Sequence, residues 1–181
     1  MAHRYLYADT VESGRERREP ERETALTADQ AAQRFAGDSE RLEDGFGVGL
    51  VGDDGRVTAW LEMAPGARRA VLKKLTPQGS VAASCEWDLP AGQPAVFLRR
   101  LTWFAYPSAD RYFSPDQAAG AVSMQFDPSG RATRERFTDH GFRDVGPVET
   151  SEYDDVDVTP NWIEVPAFGD WDGFFHPHPT E

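Results

Sequence analysis

The sequence of 181 residues predicts one α+β domain, a predominantly antiparallel β-meander of six to seven strands with one short N-terminal helix on one face. Its length suits a single core, so residues 1–181 are expected to form one domain. From Gly45 onward, apolar and polar residues alternate as they do in half-buried strands. Tight-turn signals separate these runs and leave no room for helical crossovers, which predicts antiparallel pairing between successive strands.

The N-terminal part of the chain holds the first strand and the helix. Residues 3–9 alternate tyrosine with leucine, as is typical of a short strand. Residues 10–24 mix both charge signs and predict a solvated, mobile loop. Thr27 suits an N-cap position, and the helix after it places Phe35 on one apolar face with two alanines. These features favour one helix of about three turns.

The alternating runs in the middle of the chain predict hairpins. FGVGLV at 46–51 and RVTAWLEM at 56–63 flank a DDG turn. RRAVLKKL and SVAASCEWDL follow, with a proline–glycine turn between them. The run at 95–106 is apolar on both faces, which predicts a place in the middle of the sheet. A second hairpin is expected around the turn at 127–130.

Charge is distributed unevenly along the sequence. The chain has 19 basic and 31 acidic residues, a formal net charge of −12. Through Arg136 there are 18 basic and 20 acidic residues, whereas after it there are 1 and 11. Such a protein repels nucleic acid phosphates, so direct nucleic acid binding is not expected.

Composition also bears on location and on the single thiol. The sequence has no apolar run of about 18 residues, so no membrane span is predicted. Its first residues lack the apolar stretch of a secretory signal. We therefore expect a cytoplasmic protein that does not bind membranes. Cys85 cannot form an internal disulfide, and its alternation with Val81 and Trp87 predicts a buried, inert thiol.

The motifs of common cofactor and metal sites lead to no predicted site. Residues 47–52 read GVGLVG, but a turn and a strand follow where a dinucleotide site needs a helix. The glycines are better explained by close packing on one strand face. His176 and His178 lie in a proline-rich tail, which lacks the three or four rigid ligands of a metal site. We expect no cofactor and no catalytic residue.

The segment 145–181 combines carboxylates with aromatic rings. In one interpretation it docks on the sheet as a final strand and wrapping loop, with its acids facing water or the arginines of the preceding strand. In the other, part of it is a binding face, with aromatic anchors and carboxylates that steer a basic partner. The candidate partner-binding residues are Tyr153, Asp154, Asp155, Asp157, Trp162, Asp170, Trp171, Asp172, Phe174 and Phe175.

In overall character, a small acidic domain with no catalytic motif and an acidic, aromatic closing segment resembles bacterial immunity proteins that neutralise a partner toxin. The resemblance implies a non-catalytic protein-binding domain that inhibits a toxin, and the charge suggests that this toxin is basic. Two alternatives stay open. One is a small-molecule-binding domain with a sheet–helix pocket lined by Trp60, Trp87 and Trp103. The other is a carboxylate-based hydrolase that uses His140.

Overall fold

The computed structural model describes residues 4–9, 25–37, 45–64, 68–88, 94–138 and 148–177. These residues form one open antiparallel sheet of eleven strands, with two short α-helices. The strands are β1 (Arg4–Asp9), β2 (Ala25–Leu26), β3 (Phe46–Val51), β4 (Val57–Ala64), β5 (Arg69–Leu75), β6 (Val81–Asp88), β7 (Ala95–Ala105), β8 (Gly120–Asp127), β9 (Arg131–Thr138), β10 (Glu149–Tyr153) and β11 (Trp162–Glu164). The helices are α1 (Ala28–Phe35) and α2 (Asp172–Phe175).

The mainly antiparallel sheet is confirmed, but the predicted count of six to seven strands is too low. β2 and β11 are two and three residues long, too short for any alternation to be visible. β10 reads ETSEY and is exposed on both faces, so no alternation of apolar and polar side chains marks it as a strand. The loop predicted at 10–24 and His140 lie outside the described residues.

The sheet is a meander over most of its width. Its order is β10-β9-β8-β7-β6-β5-β4-β3-β1-β2, and β11 pairs with β7. The hairpin of β8 and β9 closes where Gly130, at φ +88°, donates its N–H to the carbonyl of Asp127 at 3.0 Å. Glycine adopts this left-handed conformation without the steric cost that other residues meet. Consecutive pairing of this kind follows from the short turns of the sequence.

α1 begins where the sequence predicts. The Thr27 hydroxyl accepts from the N–H of Gln30 at 3.2 Å, and the Gln30 side chain accepts from the N–H of Thr27 at 2.8 Å. This capping box satisfies two backbone donors that no helical bond reaches. Arg34 in the last turn binds Asp9 of β1 at 2.5 Å and so ties the helix to the sheet.

The core lies on one side of the sheet, called here the core face. Val48, Leu61, Leu72, Cys85 and Leu101 stand opposite one another on five neighbouring strands and are all buried. Cross-strand partners share a face, so this row fixes which side of every strand points inward. Helix α1 and the C-terminal part of the chain cover the row.

The opposite side, called here the outer face, carries polar pairs and one small apolar cluster. Lys73 binds Glu62 at 2.8 Å, and Glu86 binds Arg69 at 2.9 Å. The cluster contains Trp60, whose ring lies 3.1 Å from the Cβ that a side chain at Gly49 would add. Because that space is taken, the glycines of GVGLVG serve packing, as the sequence indicates.

Candidate functional site

After β10 the chain crosses the core face, and we call residues 154–175 the strap. The N–H of Val156 donates to the carbonyl of Gly130 at 2.9 Å, which fixes the start of the strap to the hairpin of β8 and β9. The Asn161 side chain donates to the carbonyl of Leu98 at 3.3 Å, and β11 then pairs with the first half of β7. Through β11, residues 162–164 of the strap are part of the sheet.

The far end of the strap closes the core through aromatic contacts. Trp171 packs edge-on against Phe35 of α1, with 5.4 Å between ring centroids, and Phe174 packs edge-on against Trp87 at 5.1 Å. The Tyr5 hydroxyl donates to the carboxylate of Asp172 at 2.6 Å. Burial and this hydrogen bond raise the pKa of Tyr5 well above its ordinary value, so the hydroxyl stays a donor at neutral pH.

The structure thus divides the predicted partner-binding residues into two groups. Trp171, Phe174 and Phe175 are buried in the core, and Trp162 is half-buried with its ring 4.9 Å from that of Phe97. These four side chains dock the segment, so the docking interpretation holds for them. The remaining six are exposed: Tyr153, Asp154, Asp155, Asp157, Asp170 and Asp172.

Four of the eight exposed carboxylates of residues 148–176 lie at one edge of the sheet. We call Glu149, Glu152, Tyr153, Asp154 and Asp155 the acidic edge, and all five side chains are exposed. Residues 148–176 contain eight carboxylates and neither lysine nor arginine. Glu149 lies 4.0 Å from Arg136 of β9, at the limit of an ion pair. This segment is therefore strongly negative and exposed to water, and Arg134 and Arg136 of β9 stand opposite Ser151 and Glu149 beside it.

A cleft of about 350 Å³ opens beside the acidic edge. Three acidic residues, Asp127, Glu152 and Asp154, line it together with one basic residue, Arg131, and with Tyr153. The full lining is Gln125, Phe126, Asp127, Arg131, Ala132, Thr133, Glu152, Tyr153 and Asp154. Carboxylates beside a tyrosine suit the binding of a cationic side chain.

Two of the nearby aspartates are held in the charged form by hydrogen bonds. The hydroxyl and N–H of Ser129 lower the pKa of Asp127, and the N–H and hydroxyl of Thr159 lower that of Asp157. Hydrogen bonds to a carboxylate favour its ionised form. Both groups stay negative at neutral pH and into mildly acidic solution.

Trp103 is an exposed aromatic residue that the sequence does not mark as part of a partner surface. Trp103 is 45% exposed although β7 lies in the interior of the sheet. Its register partner is Val122 on β8, whose partners across β9 and β10 are Arg136 and Glu149. Trp103 therefore shares the core face with Glu149 and Tyr153 of the acidic edge. Three strand spacings, about 14 Å, separate Trp103 from β10. Alternation with Leu101 predicts the core face for Trp103, and no local pattern in the sequence indicates that the strap leaves it uncovered.

The three tryptophans predicted to line a sheet–helix pocket do not come together in the structure. Trp60 is buried on the outer face, Trp87 is buried in the core, and Trp103 is exposed beyond the strap. Glu149 and Glu152 were also missed, because a strand without alternation of apolar and polar residues gives no pattern to follow.

Other chemistry finds little support among the described residues. Within them, no group of three or more His, Cys, Asp and Glu is arranged to hold a metal ion. Cys85 is buried, and burial raises the pKa of its thiol to about 11, which disfavours the nucleophilic thiolate. In the same part of the chain, no helix has the length and apolar character that a membrane span requires.

Comparison with known proteins gives no relative. No protein-family model, no curated protein and no solved structure matches the chain.

Proposed function

We propose that this protein is a non-catalytic protein-binding domain that neutralises a basic partner, in the manner of a bacterial immunity-type inhibitor of a toxin. The observation that carries the proposal is the acidic edge, where exposed carboxylates flank an exposed tyrosine at the end of β10. The cytoplasmic location expected from the sequence belongs to the same proposal.

Electrostatics and aromatic anchors have separate roles in this proposal. A surface of one charge sign raises the rate of encounter with an oppositely charged partner by roughly 10–1,000-fold at low salt. Buried aromatic contacts then hold the complex, and Trp and Tyr are the residue types most enriched among such anchors. Tyr153 and Trp103, at 41% and 45% exposure, are the anchors that this face offers.

Inhibition follows if the basic surface of the partner is also the one it uses. A toxin that acts on nucleic acid binds phosphates with lysine and arginine. A protein surface of carboxylates competes for the same side chains and excludes the substrate. This reasoning makes a nucleic-acid-degrading toxin the partner class we favour.

The test uses two variants of equal charge. The edge variant carries Glu149→Gln, Glu152→Gln, Asp154→Asn and Asp155→Asn, and the control variant carries Asp29→Asn, Asp53→Asn, Asp54→Asn and Asp116→Asn. All eight positions are exposed, so both proteins should fold and both gain four units of charge. The wild-type protein and each variant serve as bait for affinity capture from source cells, first at low and then at high salt.

The proposal expects a basic protein that the wild type and the control variant retain at low salt and release at high salt. Expressed alone, that protein should stop cell growth, and co-expression of the wild type should restore growth while the edge variant does not. Equal rescue by the edge variant, or a captured partner with no toxicity, would contradict the proposal.

A further inference from the structure

We propose that the partner binds by adding an extended, basic segment as a new strand beside β10. The inference rests on the proposed function and specifies how the acidic edge is used. Among the described residues, β10 pairs with β9 on one side and with no strand on the other. Sheet edges with unpaired backbone groups are templates for strand addition.

The hydrogen bonds of the neighbouring strand show which backbone groups of β10 are free. The carbonyl of Gly130 accepts from Val156, so the peptide groups of even-numbered residues from Gly130 through β9 face the strap and β10. Their register partners in β10 are the odd-numbered residues. Peptide groups alternate in direction along a strand, so the N–H and C=O of Thr150 and Glu152 point away from the sheet. These two residues offer two donors and two acceptors.

β10 lacks most of the devices that protect a sheet edge. Its pairing with β9 is regular over five residue pairs, without a bulge, and it contains neither proline nor lysine. At five residues, about 17 Å, it is long enough to template a strand. The other edge of the sheet, β2, has only two residues. Among the described residues, the negative charge of Glu149 and Glu152 is the remaining feature that opposes pairing at β10. That charge favours a basic segment as the added strand.

Charge complementarity favours a basic segment over a second copy of this chain. Glu152 lies on the outer face with Thr150, whereas Glu149, Ser151 and Tyr153 lie on the core face. An added strand would therefore have side chains on its core face beside Glu149 and side chains on its outer face beside Glu152. Lysine or arginine at these positions forms favourable cross-strand pairs. Two copies joined through β10 would instead bring two acidic edges together, which like-charge repulsion opposes.

The experiment uses a fluorescein-labelled decapeptide in which Arg alternates with Thr, and a matched peptide with Glu in place of Arg. Thr150→Pro removes the N–H that points away from the sheet and changes no charge. The hydrogen bonds between β10 and β9 are kept, because this N–H does not take part in them. Thr150→Ala removes the side chain and keeps the N–H. Binding is measured by fluorescence anisotropy at low and high salt, circular dichroism checks the fold, and amide hydrogen exchange is followed by NMR.

We expect the wild type and Thr150→Ala to bind the Arg peptide, and Thr150→Pro to bind it about tenfold more weakly through loss of a backbone bond and blocking of its site. The Glu peptide should not bind. The amides of Thr150 and Glu152 should exchange rapidly in the free protein and slowly in the complex.

Two results would overturn the inference in distinguishable ways. If Thr150→Pro binds as tightly as the wild type while the edge variant binds weakly, strand addition is wrong and the acidic edge still binds cations. If the wild type shows no salt-sensitive binding of the Arg peptide, the acidic edge is not a binding surface, and the proposed function fails with it.

Discussion

At the scale of single residues, two tryptophans have the opposite burial to that which their sequence neighbours indicate. Trp171 follows an aspartate in a polar, acidic stretch and is fully buried, whereas Trp103 lies in the most apolar strand and is 45% exposed. Local hydropathy therefore misassigns both. Burial is decided by which elements pack above each ring, and the strap covers one position and stops short of the other.

This contrast predicts the stability of two variants. Trp171→Ala leaves a cavity among Phe35, Phe46 and Phe168, and should lower the free energy of unfolding by about 3–5 kcal/mol. Trp103→Ala should cost about 1 kcal/mol or less and should instead weaken partner binding. Urea denaturation of both variants checks this, and a large loss of stability in Trp103→Ala would contradict it.

The buried thiol predicts a pH dependence of stability. Burial raises the pKa of Cys85 from 9.0 to about 11, so the unfolded chain loses the thiol proton before the folded protein does. The contribution of Cys85 is full below pH 9 and is lost as the pH rises toward 11. The free energy of unfolding of the wild type should therefore fall more steeply over this range than that of Cys85→Ala. Parallel slopes for the two proteins would show that the thiol is not buried.

At the scale of elements, local signals were predictable and long-range ones were not. The capping box at Thr27 and the hairpin turn at Gly130 involve neighbouring residues, and the sequence indicates both. β11 exists because Trp162 pairs with Phe97, sixty-five residues earlier, and no local pattern announces that contact. The strap was foreseen only as one of two alternatives, since its aromatic residues suit a core and an interface equally well.

The alternation inferred for β10 predicts that neighbouring proline substitutions differ in cost. Ser151→Pro removes an N–H that faces β9 and should lower the free energy of unfolding by about 1 kcal/mol or more. Thr150→Pro removes an N–H that faces solvent and should leave stability nearly unchanged. Thermal melts of the two variants test the direction of the peptide groups, and equal destabilisation would contradict the assignment.

At the scale of the whole molecule, the charge asymmetry of the sequence becomes a surface. The sequence places −10 of its net charge of −12 after Arg136, with 1 basic and 11 acidic residues there, and the fold exposes all eight carboxylates of residues 148–176 while the aromatic rings of this segment other than Tyr153 turn inward. Six of the ten predicted partner-binding residues remain on the surface as a result. The alternating acids and aromatics of the sequence are thus separated into a solvated edge and a packed core.

If the acidic edge steers a basic partner, it should increase the rate constant with which the captured partner associates with this protein. We would measure this constant by stopped-flow fluorescence for the wild type, the edge variant and the control variant at low and high salt. We expect the edge variant to associate about tenfold more slowly than the wild type and the control variant at low salt. High salt should remove most of this difference in rate. Equal rates for the edge and control variants at low salt would contradict the claim, because net charge rather than the acidic edge would then govern association.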